Sequence, residues 1–107
     1  MRKCGAIIAA LLMAGCAGTV TGKVQGTGES FTGTAVADGK HGGTVSLRSN
    51  TGVTCQGDYL FSEKRKGEGV FNCTDGRSGP FSFVSNGFQG LGHGTLDGQG
   101  FTFKFSI

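Results

Sequence analysis

The sequence predicts an all-β protein, an antiparallel β-meander of about eight short strands that forms a curved sheet or a small up-and-down barrel. Three observations carry that expectation. Beyond Thr19 apolar residues alternate along the chain: Val45 and Leu47, Val53 and Cys55, Tyr59 and Phe61, Phe81 and Phe83, then Phe101, Phe103 and Phe105. A period of two is that of a strand with one buried face, and no stretch has the period of a helix. Turn signals then fall between these runs at steps of about 11 to 13 residues, the spacing of consecutive hairpins. Finally, the 107 residues include 22 glycines, nine phenylalanines and no tryptophan, without the every-third glycine of collagen. The phenylalanines are too regular for a disordered linker and supply most of the available core.

The chain opens with a segment of a different kind. Met1 to Cys4 is short and basic, Gly5 to Met13 is apolar, and Ala14-Gly15 are small and precede Cys16. That order is the order of a secretory signal, and the apolar stretch is well short of the roughly 20 residues that span a bilayer. Leu12-Met13-Ala14-Gly15-Cys16 resembles the lipobox of bacterial lipoproteins, with Met13 where leucine is commonest. The resemblance implies removal of residues 1–15 and a diacylglyceryl thioether on Cys16, usually with an acylated amine. Two or more acyl chains give stable anchoring, each buried methylene contributing about 0.8 kcal/mol. Ala17 stands where signals for inner-membrane retention carry aspartate, so the resemblance implies an outer-membrane anchor facing the periplasm. An ordinary signal peptide that leaves Cys16 free is the alternative. On this reading residues 16–21 form a lipidated N-terminus with a short tether, and residues 22–107 form one glycine-rich β domain.

Seven turns divide that domain: Gly26-Thr27-Gly28, Asp38-Gly39, Asn50-Thr51-Gly52, Glu63 to Lys66, Asp75-Gly76, Asn86-Gly87 and Asp97-Gly98. Asp-Gly and Asn-Gly supply the positive φ angles of tight hairpin turns. Glycines also recur between the turns, at Gly22, Gly33, Gly57, Gly69, Gly79, Gly92 and Gly94. Interior glycine weakens a strand, so its abundance needs a reason. The expected reason is curvature, with room for facing phenylalanine rings as a second. Gly67 to Phe81 resembles the glycine-aromatic hairpin of the MORN repeat, and Gly92 to Phe101 echoes it; the Tyr-x-Gly opening of that family is missing from both.

With Cys4 removed and Cys16 lipidated, Cys55 and Cys73 remain, and an even pair in an exported domain usually forms a disulfide. If Phe61 faces Gly67 across the Glu63 to Lys66 turn, Tyr59 faces Gly69, Gly57 faces Phe71, and Cys55 faces Cys73. Directly opposed residues come near disulfide reach. No Cys-x-x-Cys is present, and neither histidine is placed as an obvious metal ligand.

The search for chemistry yields little else. Asp38, Asp75 and Asp97 belong to turns, and no carboxylate pair stands out for acid–base work. Gly33 to His41 imitates a phosphate loop but is one residue too long and has His41 where a hydroxyl should bind magnesium. His41 and His93 read as exposed polar residues, and no nucleophile elbow surrounds any serine. Lys64-Arg65-Lys66 reads either as a contact for anionic lipid headgroups or as a solvated hairpin tip. Phe88 and Leu91 flank Gly90, and Tyr59 could reach either face; core packing is the expected role of each, with an exposed patch for a glycan or protein partner as the alternative. After loss of Arg2 and Lys3 the chain keeps eight Lys and Arg against seven Asp and Glu, too even a balance for nucleic acid.

The expectation is a non-enzymatic, membrane-anchored envelope lipoprotein with a binding or structural role and no cofactor or metal. Its partners would be the membrane, through lipid on Cys16, and an envelope protein or glycan; the oligomeric state stays open. Two other readings remain. Small lipid-anchored β-barrels that inhibit lysozyme share this size, lipobox and disulfide, although none of that family's motifs is present. A small hydrolase with an unrecognised site is the other.

Overall fold

The computed structural model describes residues 17–37, 41–86 and 89–106. These form eight antiparallel strands: β1 (Ala17–Val24), β2 (Ser30–Ala37), β3 (Gly42–Ser49), β4 (Thr54–Glu63), β5 (Lys66–Cys73), β6 (Ser78–Ser85), β7 (Gln89–Leu96) and β8 (Gln99–Ser106). Each pairs with the next, and β1 pairs with β8, so the meander closes into a barrel. Of the two expected shapes, the barrel is therefore the one adopted. Closure also removes both sheet edges, which an open meander would leave as templates for aggregation.

The expected turns at 26–28, 50–52, 63–66, 75–76 and 97–98 all join strands. Asp97 (φ 51°) and Gly98 (φ 83°) both lie in the left-handed region, the requirement of a two-residue type I′ hairpin. The expected turns at Asp38-Gly39 and Asn86-Gly87 fall wholly or partly outside the described residues, as do Cys16 and Phe88. One boundary differs. The tether expected over 16–21 is taken up by β1 from Ala17 onward, five residues before the expected domain start. Thr19, Val20 and Thr21 are β-branched, and Val20 is buried in the core, so this stretch is needed as the closing strand.

An eight-stranded barrel is just wide enough for its side chains to fill. The interior holds Val20, Val24, Phe31, Val45, Leu47, Cys55, Phe71, Phe81, Phe83, Leu96, Phe101 and Phe103. A ladder of rings runs through it, with Phe71 stacked on Phe81 at 4.2 Å and edge-on to Phe101 at 5.6 Å. Phe101 in turn meets Phe31 edge-on at 5.7 Å. Such contacts stabilise by about 0.5–1.5 kcal/mol each beyond area burial.

This packing explains the strand glycines. Register pairs Gly92 with Phe103 and Phe83, Gly94 with Phe101 and Phe81, and Gly57 with Phe71. A Cβ at Gly92 would enter the Phe103 ring, one at Gly67 the Phe83 ring, and one at Gly90 the Phe105 ring. Each large ring thus lies over a neighbour with no side chain. At Gly33 and Gly79 the obstacle is backbone instead: a Cβ there would meet the carbonyl oxygens of Ser46 and Thr95.

The outer wall carries the charged residues Lys23, Arg48, Asp58, Glu68 and Lys104 together with exposed Val36, Leu60, Val70, Val84 and Leu91. Barrels that span membranes have instead an apolar outer band around a polar interior. No helix among the described residues is long and apolar enough to cross a membrane.

Candidate functional site: the barrel mouth and its closed opposite end

The two ends of the barrel differ. One is sealed by polar groups from three loops. Arg77, after β5, donates to both carboxylate oxygens of Glu29, before β2, at 2.8 and 2.9 Å. Arg77 Nε donates to Asp75 at 2.8 Å. Thr51 Oγ1, from the loop after β3, donates to Glu29 at 3.1 Å. Ser49 is buried, and its hydroxyl accepts from the backbone N–H groups of Thr51 and Val53 at 3.1 and 3.2 Å. Beneath this lid lie Phe31, Leu96 and the disulfide. Its two sulfurs are 2.00 Å apart and join Cys55 to Cys73 directly across β4 and β5, in the register that the chain itself implies.

Hydrogen bonds from Arg77 hold the Glu29 carboxyl below the usual carboxylate range, against the opposing effect of partial burial, with Thr51 adding in the same direction. The Arg77 guanidinium is correspondingly pushed above its ordinary value by Glu29. A carboxyl with a depressed folded-state pKa stabilises at pH values above its unfolded value, here near 4.5. That contribution is lost as pH falls through 4.5 toward the lower folded value. Arg77→Ala should therefore cost on the order of 2 kcal/mol in urea denaturation at neutral pH. The loss should shrink in acid, once Glu29 is protonated in both proteins. An equal loss at both pH values would show that the ion pair is not what seals this end.

The opposite end is an open mouth. Tyr59, Phe61, Phe83 and Phe105 ring it, with Phe83 edge-on to Tyr59 at 5.4 Å, to Phe61 at 5.5 Å and to Phe105 at 5.5 Å. Below them is a cavity of about 160 Å3 whose floor and walls include Val20, Ala35, Val45, Phe81 and Phe103. Tyr59 and Ser85 bring the side-chain polar atoms to this lining. Two wider hollows lie open on the outer wall, one bordered by Thr21, Val84, Leu91 and Lys104, the other by Gln56, Asp58, Leu60 and Val70. The small residues Gly18, Ala35 and Ala37 create the mouth space, because the strands opposite the aromatic ring carry little bulk at this level.

The residues singled out in the sequence are distributed as follows. Lys64 and Arg65 form the β4–β5 hairpin tip beside the mouth, and Lys66 begins β5. All three are exposed. His93 lies exposed on the outer face of β7, in register with Ser82 and Thr102. His41 is exposed just before β3, and its carbonyl accepts from the Phe61 N–H. The structure does not bring the two histidines together, and neither lines the mouth cavity. Among the described residues no group of three or more His, Cys, Asp or Glu could hold a metal ion. Leu91 is exposed on the outer wall rather than packed in the core.

The mouth and the Arg77–Glu29 lid are both absent from the sequence reading. The aromatics of the mouth are marked in the sequence only as alternating strand residues. That their rings share one end follows from closure, which sets Phe105 of β8 opposite Val20 of β1.

Fold and site together define an eight-stranded up-and-down β-barrel with one sealed end and one apolar mouth. No protein-family model and no curated protein sequence matches the chain. Among solved structures it is similar to a redesigned β-barrel, mFAP1, bound to DFHBI, with a TM-score of 0.71 and 12% identity over 85% of this chain and 92% of that one. At that identity the likeness concerns the fold.

Proposed function

We propose that the protein is a non-enzymatic binding module of the bacterial envelope, lipid-anchored through Cys16, whose barrel mouth holds a small apolar group. The mouth cavity is the observation that carries this reading. A cavity of about 160 Å3 lined by Val20, Val45, Phe81, Phe83, Phe103 and Phe105 lets a guest that enters through the mouth bury apolar surface. An apolar cavity of about 150 Å3 is large enough to accept benzene. A guest here would meet aromatic rings on several sides, with Tyr59 and Ser85 to orient any polar end. The redesigned barrel described as bound to DFHBI has the same architecture, which supports a barrel interior as a place for a small molecule. The lipobox-like segment ending at Cys16 supports the envelope location, and the Cys55–Cys73 disulfide suits an oxidising compartment outside the cytoplasm.

Benzene titration followed by NMR tests the reading. Methyl signals of Val20, Ala35 and Val45 should shift and saturate in the wild type. Ala35→Leu, which fills the cavity, should weaken binding about tenfold or more, a cost of about 1.4 kcal/mol. Thr34→Leu, on the outer face of the same strand, should leave it unchanged. Equal binding by all three proteins would contradict a ligand site in the mouth.

A further inference from the structure

The exposed large apolar side chains of the described residues gather toward one end. Val36, Leu60, Phe61, Val84 and Leu91 lie in the mouth half, with Leu91 and Leu60 exposed to 68% and 65%, and Val70 lies mid-strand on β5. Toward the sealed end the outer wall carries Lys23, Thr32, Arg48, Gln56, Asn72 and Gln99, all exposed. Near the mouth a cross-strand row can be read directly from the register: Lys66 pairs with Val84, Val84 with Leu91, and Leu91 with Lys104. Two exposed aliphatic side chains are thus flanked by two lysines, and Lys64 and Arg65 project at the adjacent hairpin tip. That is the composition of a surface lying in a membrane interface. Apolar side chains enter the boundary region while lysine stems lie along it and their ammonium groups reach anionic headgroups.

The start of β1 adds an independent constraint. Ala17 opens β1 at the mouth end, paired with Val36. One peptide unit separates it from Cys16, and consecutive Cα atoms are about 3.8 Å apart. An acyl anchor on Cys16 therefore has no tether: it holds the rim of the mouth at the bilayer.

We infer that the protein sits mouth-down on an anionic phospholipid membrane, with the Lys66–Val84–Leu91–Lys104 row in the headgroup layer and the aromatic mouth facing the lipid. This rests on the anchored-lipoprotein reading and deepens it, because the apolar group that enters the mouth is then supplied by the bilayer as the end of an acyl chain. A barrel on a free tether would expose this apolar end to water, and the structure gives it no such tether.

The chain has no tryptophan, so a single introduced one reports its own depth. Leu91→Trp lies in the row and Thr27→Trp at the sealed end, both at exposed positions that leave the core untouched. Each protein, purified with its anchor, is reconstituted into phosphatidylcholine–phosphatidylglycerol vesicles containing brominated acyl chains. The expected result is flotation of both proteins, with a blue shift and strong loss of emission for Leu91→Trp and neither for Thr27→Trp. Flotation with both tryptophans unquenched would overturn the seating and leave the anchor standing. A blue shift at position 91 that needs high protein concentration and no vesicles would assign the row to a second copy of the chain, and would also overturn it. Protein left in the aqueous fraction would overturn the anchored reading and the seating with it.

Discussion

Gly92→Val should destabilise the barrel by about 3 kcal/mol, the upper range for overpacking a core, as read from the midpoint of urea denaturation. A Cβ at this position enters the Phe103 ring, which must then be displaced from its seat. It is buried against Phe71, Phe81 and Phe101, with ring centroids 6.3, 5.8 and 5.6 Å away. Gly79→Ala should be comparably costly for a different reason, since its Cβ meets the Thr95 carbonyl and the strands themselves must separate. Gly26→Ala provides the contrast. Nothing lies within 4 Å of a Cβ there, so only its positive φ of 79° resists, a cost of about 1 kcal/mol. The ring-seat explanation also predicts coupling. Gly92→Ala combined with Phe103→Leu should cost clearly less than the sum of the two single changes, because the shorter side chain releases the clash. Strict additivity would return the glycines to a role in curvature alone.

Breaking the Cys55–Cys73 bond has the other large expected effect, on the order of 3 kcal/mol for the loop it closes. The bond matters more here than in an average domain, because a chain with 22 glycines gives up unusual backbone freedom on folding. Cys55→Ala, Cys73→Ala and the double variant should lose nearly the same stability, since each removes the same bond. Cys55→Ala should lose slightly more than Cys73→Ala, because Cys55 is the more deeply buried of the two. Losses that add across the two sites would argue against a shared contribution.

Much of this fold is written in local pairs. Asp97-Gly98 marks its own hairpin because both residues must take positive φ. The Cys55–Cys73 pairing follows from one turn, since an antiparallel register, once set at Phe61 and Gly67, propagates unchanged to the cysteines. The strand glycines are visible in the sequence, where curvature is the first explanation; only the closed barrel shows each facing a phenylalanine or a neighbouring strand's carbonyl. The start of β1 was hidden because Thr19 to Thr21 have no neighbour in sequence; their partners are β2 on one side and β8, more than 80 residues away, on the other. The Glu29–Arg77 pair is separated by 48 residues and is likewise a product of closure. The mouth belongs to the same class. Tyr59, Phe61, Phe83 and Phe105 come from three strands, and only the closed barrel turns them into a ring over a cavity.

Whether that cavity is a binding site is decided by where a guest sits. With benzene in excess, intermolecular NOEs should run from its protons to the Ala35 methyl and to the ring protons of Phe83 and Phe105, and those to Phe83 and Phe105 should vanish in Ala35→Leu. NOEs confined to outer-wall residues such as Thr21 or Thr102, or unaffected by filling the mouth, would contradict the account.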